Sequence, residues 1–95
     1  MRNVMTAVVL DDTHRWTLAQ LCDVCQVSES WLIELLDEGV IEPLPGSRSE
    51  WVFDITCVRR VRRAHRLHRD LGVNAPGIAL ALQLLDELER LRGGR

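Results

Sequence analysis

Two pairs of soft donors stand out in this 95-residue chain, Cys22-x-x-Cys25 and His65-x-x-His68, which together make the ligand list of a zinc site. Their surroundings point elsewhere. Leu18, Leu21, Cys22 and Cys25 recur at i, i+3, i+4 and i+7, so both thiols fall on the inner face of an amphipathic helix, where cysteine packs as a small hydrophobe. The gap to His65 is long, and both imidazoles lie near the apolar side of their own helix. A redox Cys-x-x-Cys needs its first thiolate at a helix N-terminus, and this pair does not stand at one. Tyr is absent, as are a Gly-rich phosphate loop and any recognisable grouping of nucleophile, base and orienting residue. The expectation is a protein that is not an enzyme and has no catalytic, cofactor-binding or metal-ligating residues.

Charge carries more information. The formal net charge of −2 gives no global pull toward nucleic acid or an anionic membrane, but it hides an asymmetry. Residues 1 to 54 hold three Arg against ten Asp and Glu, net −7; residues 55 to 75 hold six Arg against Asp70, net +5; the remainder balances. Glu29, Glu34, Asp37 and Glu38 cluster on one short helical segment, and no basic residue occurs from Asp23 through Leu44. A helix that reads DNA presents Arg, Lys, Asn or Gln to base edges and phosphates, whereas four carboxylates repel a polyanion. Singly, each acid is a solvated side chain; as a group they suit a basic protein surface. On a wheel of 100° per residue, Arg59, Arg62, Arg63, Arg66 and Arg69 oppose an apolar sector of Cys57, Val61, Ala64, Leu67, His68 and Leu71. Such a stripe serves as a solvated face, as a salt-sensitive phosphate track, or as one side of an ion-pair interface.

The elements that must position these groups follow from local signals. Val4 to Leu10 has the composition of a short strand ending at Asp11-Asp12. Thr17 caps a first helix through Cys25, and Ser28 caps a second from Glu29 to Glu38, with Trp31, Leu32, Leu35 and Leu36 inward and Gly39 as its stop. The corner at Gln26-Val27 makes residues 17–39 a helix-turn-helix. Residues 40–53 form a wing, a hairpin of Val40-Ile41 and Trp51-Val52-Phe53 around Pro43, Pro45 and Gly46. Asp54 caps a helix over 55–71 stopped by Gly72, and Asn74 caps a last helix over 75–92 with Pro76 in its first turn. The prediction is one mostly α domain spanning residues 1–95. Three cysteines, an odd number, and apolar runs far short of the ~20 residues of a membrane span predict a soluble, cytoplasmic protein.

The last helix is over-supplied with leucine. Ile78, Ala81, Leu82 and Leu85 occupy one side, and Leu80, Leu84, Leu88 and Leu91 the adjoining one, beyond the ~100° stripe a surface helix needs. The surplus packs within the chain, against a second copy, or against a partner.

Trp16-Thr17-Leu18-Ala19-Gln20-Leu21-Cys22 and the order of elements resemble the MerR-like winged helix-turn-helix, with a short β-hairpin wing and two C-terminal helices. Gly39-Val40-Ile41-Glu42-Pro43, Trp51-Val52-Phe53-Asp54, Arg63-Ala64 with Leu67 and Leu71, Pro76-Gly77-Ile78-Ala79-Leu80-Ala81-Leu82 and Leu84-Leu85-Asp86 resemble the chaperone modulatory protein CbpM family over nearly the whole chain. That resemblance implies an adaptor that binds the J-domain of a CbpA-like co-chaperone, blocks its work with the heat-shock chaperone and suppresses its DNA binding. J-domains engage that chaperone through a positively charged helix, which an acidic face would suit. The partner-binding candidates are Glu29, Glu34, Asp37, Glu38, Arg59, Arg62, Arg63 and Arg66, with no specific nucleic acid, no membrane and a homodimer through the last helix as a further possibility. The competing reading is a small MerR-like DNA-binding transcriptional regulator.

Overall fold

The structure is a computed structural model that describes residues 13–46 and 50–93. The strand expected at Val4–Leu10 lies outside the described residues. In chain order the elements are β1 (Trp16–Thr17), α1 (Leu18–Cys25), α2 (Glu29–Asp37), β2 (Val52–Phe53), α3 (Ile55–Leu71) and α4 (Ala75–Gly93).

Capping chemistry sets the helix starts. Thr17 and Gln20 form a reciprocal capping box: the Thr17 hydroxyl accepts from Gln20 N–H at 3.2 Å, and Gln20 Oε1 accepts from Thr17 N–H at 2.9 Å. Ser28, Asp54 and Asn74 each accept an amide three residues on, from Trp31, Cys57 and Gly77 respectively. The ends are equally local. After α2, Gly39 takes φ +75°, its N–H reaches the Leu36 carbonyl, and Val40 N–H reaches that of Leu35 at 2.9 Å, so the last carbonyls are satisfied. The α1 to α2 corner makes the same closure with Gln26 in the left-handed region, at φ 58°.

The wing departs from expectation. Val52 pairs antiparallel with Thr17 and Phe53 with Trp16, so β2 pairs with β1, and Val40-Ile41 is not a strand. The reason is that the backbone of Val40 is already committed: its N–H closes α2 and its carbonyl accepts Arg60 Nε–H at 2.6 Å. Both residues are buried in the core instead, and one hydrogen bond from Leu44 N–H to the Val52 carbonyl, at 2.7 Å, draws the two arms together. Trp51, expected in the hairpin, is outside the strand and 43% exposed.

The core joins Trp16, Leu21 and Cys25 to Leu32 and Leu35 of α2, Val40, Ile41 and Phe53, then Val58, Val61 and Ala64 of α3. Ala75, Ile78 and Leu82, at i, i+3 and i+7, complete it from the first half of α4, which packs on α2 and α3. Burial of each large apolar side chain contributes roughly 1.5–3 kcal/mol, so this cluster dominates stability.

Packing within the chain does not absorb the leucine surplus. Leu80, Leu84, Leu88 and Leu91 are 58, 56, 53 and 64% exposed, and Leu85 is exposed beside them. On α3, Leu71 and His68, placed by the wheel in the apolar sector, are exposed as well, Leu71 at 71%. The buried residues of α4 end at Leu82, and those of α3 end at Ala64, so the final turns of both helices run past the core.

Candidate partner-binding surfaces

The acidic surface lies on α2. Glu29, Glu34, Asp37 and Glu38 are all exposed, and among the described residues none forms an ion pair. By helical geometry Glu34, Asp37 and Glu38 share one solvent strip, while Glu29 sits in the first turn, where its charge suits the positive end of the helix dipole. Glu29 is also close enough to Cys22 of α1 to add to the effect of burial in raising that thiol above its ordinary range. The opposite side of α2 carries Leu32 and Leu35 into the core, so the acids are held on a rigid, well-packed helix.

The arginine surface lies on α3. Arg59, Arg63, Arg66 and Arg69 are exposed on its outer side, whereas Arg62 is half-buried, close enough to Cys25 to act on its thiol. Arg69 pairs with Asp70 at 2.9 Å, which holds the Asp70 carboxyl below the ordinary carboxylate range. The stripe is therefore Arg59, Arg63 and Arg66, with Arg62 at its inner margin. Between the final turns of α3 and α4 runs a groove of about 520 Å³, floored by Leu67, Leu71, Leu85 and Leu88, with Arg63 and Arg66 on its rim. Leu85 and Leu88 of that floor are themselves among the exposed leucines of α4.

Arg60 was not singled out by the sequence and proves to be the cation that organises the molecule. Its Nε–H bonds the Val40 carbonyl and its Nη1 reaches Asp86 of α4 at 3.1 Å, so one guanidinium ties α2, α3 and α4 together. The available signal was its angular position: on the wheel it falls within the apolar sector, between Leu67 and Leu71, apart from the other arginines, and a cation on that side needs a long stem and internal acceptors for its donors.

The cysteine and histidine pairs separate. Cys22 and Cys25 lie on α1, and burial, opposed by Arg62, pushes the Cys25 thiol up to about 11. Cys57 on α3 is raised by burial too, and its thiol donates to the Glu42 carbonyl at 3.4 Å. All three cysteines are free, and among the described residues no three His, Cys, Asp or Glu side chains are placed to share a metal ion. His65 and His68 flank Trp31 of α2 instead, with ring centroids 5.8 and 5.6 Å from the indole. Trp31, expected inward with Leu32, is only half-buried. Among the described residues no helix is long and apolar enough to cross a membrane.

Residues 16–93 match the model of the MerR HTH family regulatory protein. A chaperone modulatory protein CbpM of Pseudomonas entomophila is 42% identical over 72 residues, 76% of this chain and 71% of the relative. One from Coxiella burnetii is 31% identical over 95% of this chain and 85% of its own length, and one from Citrobacter koseri 41% over 84% and 79%. The relatives are named as chaperone modulators and the matching model describes a regulatory helix-turn-helix. A helix-turn-helix whose second helix carries acids, a short two-stranded sheet and two further helices, matched over most of its length by these proteins, make the chain a member of the CbpM chaperone modulatory family within the MerR-type helix-turn-helix proteins.

Proposed function

We propose that the chain is a non-catalytic cytoplasmic adaptor that binds the J-domain of a CbpA-like co-chaperone and restrains its co-chaperone and DNA-binding activities. The observation that carries this reading is the sign of charge on α2. The helix that would enter a major groove displays Glu34, Asp37 and Glu38 to solvent, unpaired among the described residues. Carboxylates there oppose phosphate and favour a cationic helix, the feature J-domains present. The names of the relatives fit the same assignment.

The arginine stripe of α3 has a separate role in this reading, pairing with carboxylates of the same partner beside the acidic face. The leucines of α4 form the contact between two copies of the chain, because five of them stand exposed on one helix, and clustered exposed leucine is covered at an interface more often than left to solvent. A pull-down with the J-domain, beside a gel shift with random and operator-like DNA, tests the function. Retention of the J-domain with no operator preference is expected; selective, salt-tolerant binding of one operator without J-domain binding would instead favour a DNA-binding regulator.

A further inference from the structure

The acids of α2 are not alone on their side of the helix. Trp31, Glu34 and Glu38 stand at i, i+3 and i+7 and therefore form one line along α2, with the indole at the border between core and solvent. Trp31 is braced from α3. The His65 ring meets it edge-on at 5.8 Å, and the His68 ring lies at 5.6 Å with a 40° tilt. His68 is itself held, because its Nδ1 lies 3.1 Å from the Val73 carbonyl. A carbonyl only accepts, so Nδ1 carries the proton and the imidazole is fixed to the turn between α3 and α4. A large aromatic ring has thus been oriented by two neighbours without being covered by them.

We propose that Trp31, braced by His65 and His68, is the anchor of the α2 surface and takes an arginine or lysine of a partner helix on its indole while Glu34 and Glu38 hold that charge. This deepens the proposed function and rests on the reading that α2 faces a cationic protein. The chemistry favours this occupant over a purely apolar one. An indole offers the most attractive aromatic face for a cation, a carboxylate one turn away neutralises the same group, and a ring ordered beforehand loses little entropy on binding. Tryptophan and arginine are also the side chains most often found to dominate interfaces.

The test uses two probes on the full chain. The first is a synthetic alanine-based helical peptide with arginines spaced i, i+4. With isotope-labelled protein, the indole N–H signal of Trp31 is expected to shift on titration while that of the buried Trp16 stays in place. Trp31→Leu, which keeps an apolar side chain and removes the π face, is expected to weaken peptide binding about three- to tenfold, with Trp31→Phe within about threefold of the parent. Equal binding by the Leu variant at unchanged melting temperature, a stationary Trp31 signal, or no binding of the peptide to the parent chain would overturn the proposal. The second probe is the J-domain. If it fails to bind the parent while the peptide results hold, the named partner is wrong and the Trp31 assignment stands. If it binds the parent and the Leu variant equally, the anchor is refuted and the partner reading survives.

Discussion

Arg60 donates its Nε–H to the carbonyl of Val40 at 2.6 Å, and that bond determines how the helix-turn-helix sits on the helices that follow it. It consumes the acceptor Val40 would have needed in a wing ladder and fixes the end of α2 against α3. The same side chain then reaches Asp86 of α4.

Arg60→Leu should therefore destabilise the fold by about 1.5–3 kcal/mol, because a charge-assisted bond to a part-buried carbonyl is lost. Asp86→Asn should cost less than about 1 kcal/mol, since that carboxylate is more than half exposed. Urea melts of the two variants check both the sizes and their order.

Gln26 holds the left-handed position between α1 and α2, a conformation that strains any side chain with a Cβ. Gln26→Gly should stabilise the protein by about 0.5–1 kcal/mol despite losing the side-chain bond to the Asp23 carbonyl. Gly39→Ala, at φ +75°, should destabilise by more than about 1 kcal/mol. The opposite signs at the C-terminal ends of α1 and α2 can be read from paired denaturant midpoints.

These closures were legible in the chain because they are local. Thr17, Ser28, Asp54 and Asn74 announce helix starts, and Gly39 and Gly72 announce stops, through bonds spanning a few residues. The wing was not legible, since the group that takes Val40 out of a strand is Arg60, twenty residues away in the chain. Periodicity likewise identified a broad apolar face on α4 but not what would cover it, and five of its leucines face solvent. For the surfaces, the acids of α2 are exposed as a group, whereas membership of the arginine stripe depended on the neighbours of each residue. Arg62 turns inward toward Cys25, and Arg69 is paired with Asp70.

Burial of Cys25 makes stability depend on pH at the alkaline end. Its pKa rises from 9.0 to about 11 on folding, so above pH 9 the unfolded chain releases the proton first and stability falls as pH climbs through about 11. Below pH 9 the contribution is fully present. Cys25→Ala should flatten the slope of melting temperature against pH between 9 and 11, although the variant starts lower because a cavity is left. At pH 8 the native thiol should also react with iodoacetamide far more slowly than in the urea-unfolded chain.

Leu84 and Leu88 lie one turn apart on the exposed side of α4. Replacing both with Ser should leave the melting temperature within a few degrees, because neither is in the core, and should abolish self-association in sedimentation at micromolar concentration. A parent chain that sediments as a monomer throughout that range would remove the dimer from the account.

In the proposed function the charge on α2 selects the partner, and reversing it gives the most direct test. The parent chain and Glu34→Arg/Asp37→Arg are titrated with the J-domain by calorimetry at 50 and 300 mM salt, with folding monitored by circular dichroism. The account predicts that the double variant, still folded, loses at least about tenfold in affinity at low salt and that parent binding weakens as salt rises. Equal affinity for the two proteins, independent of salt, would contradict it.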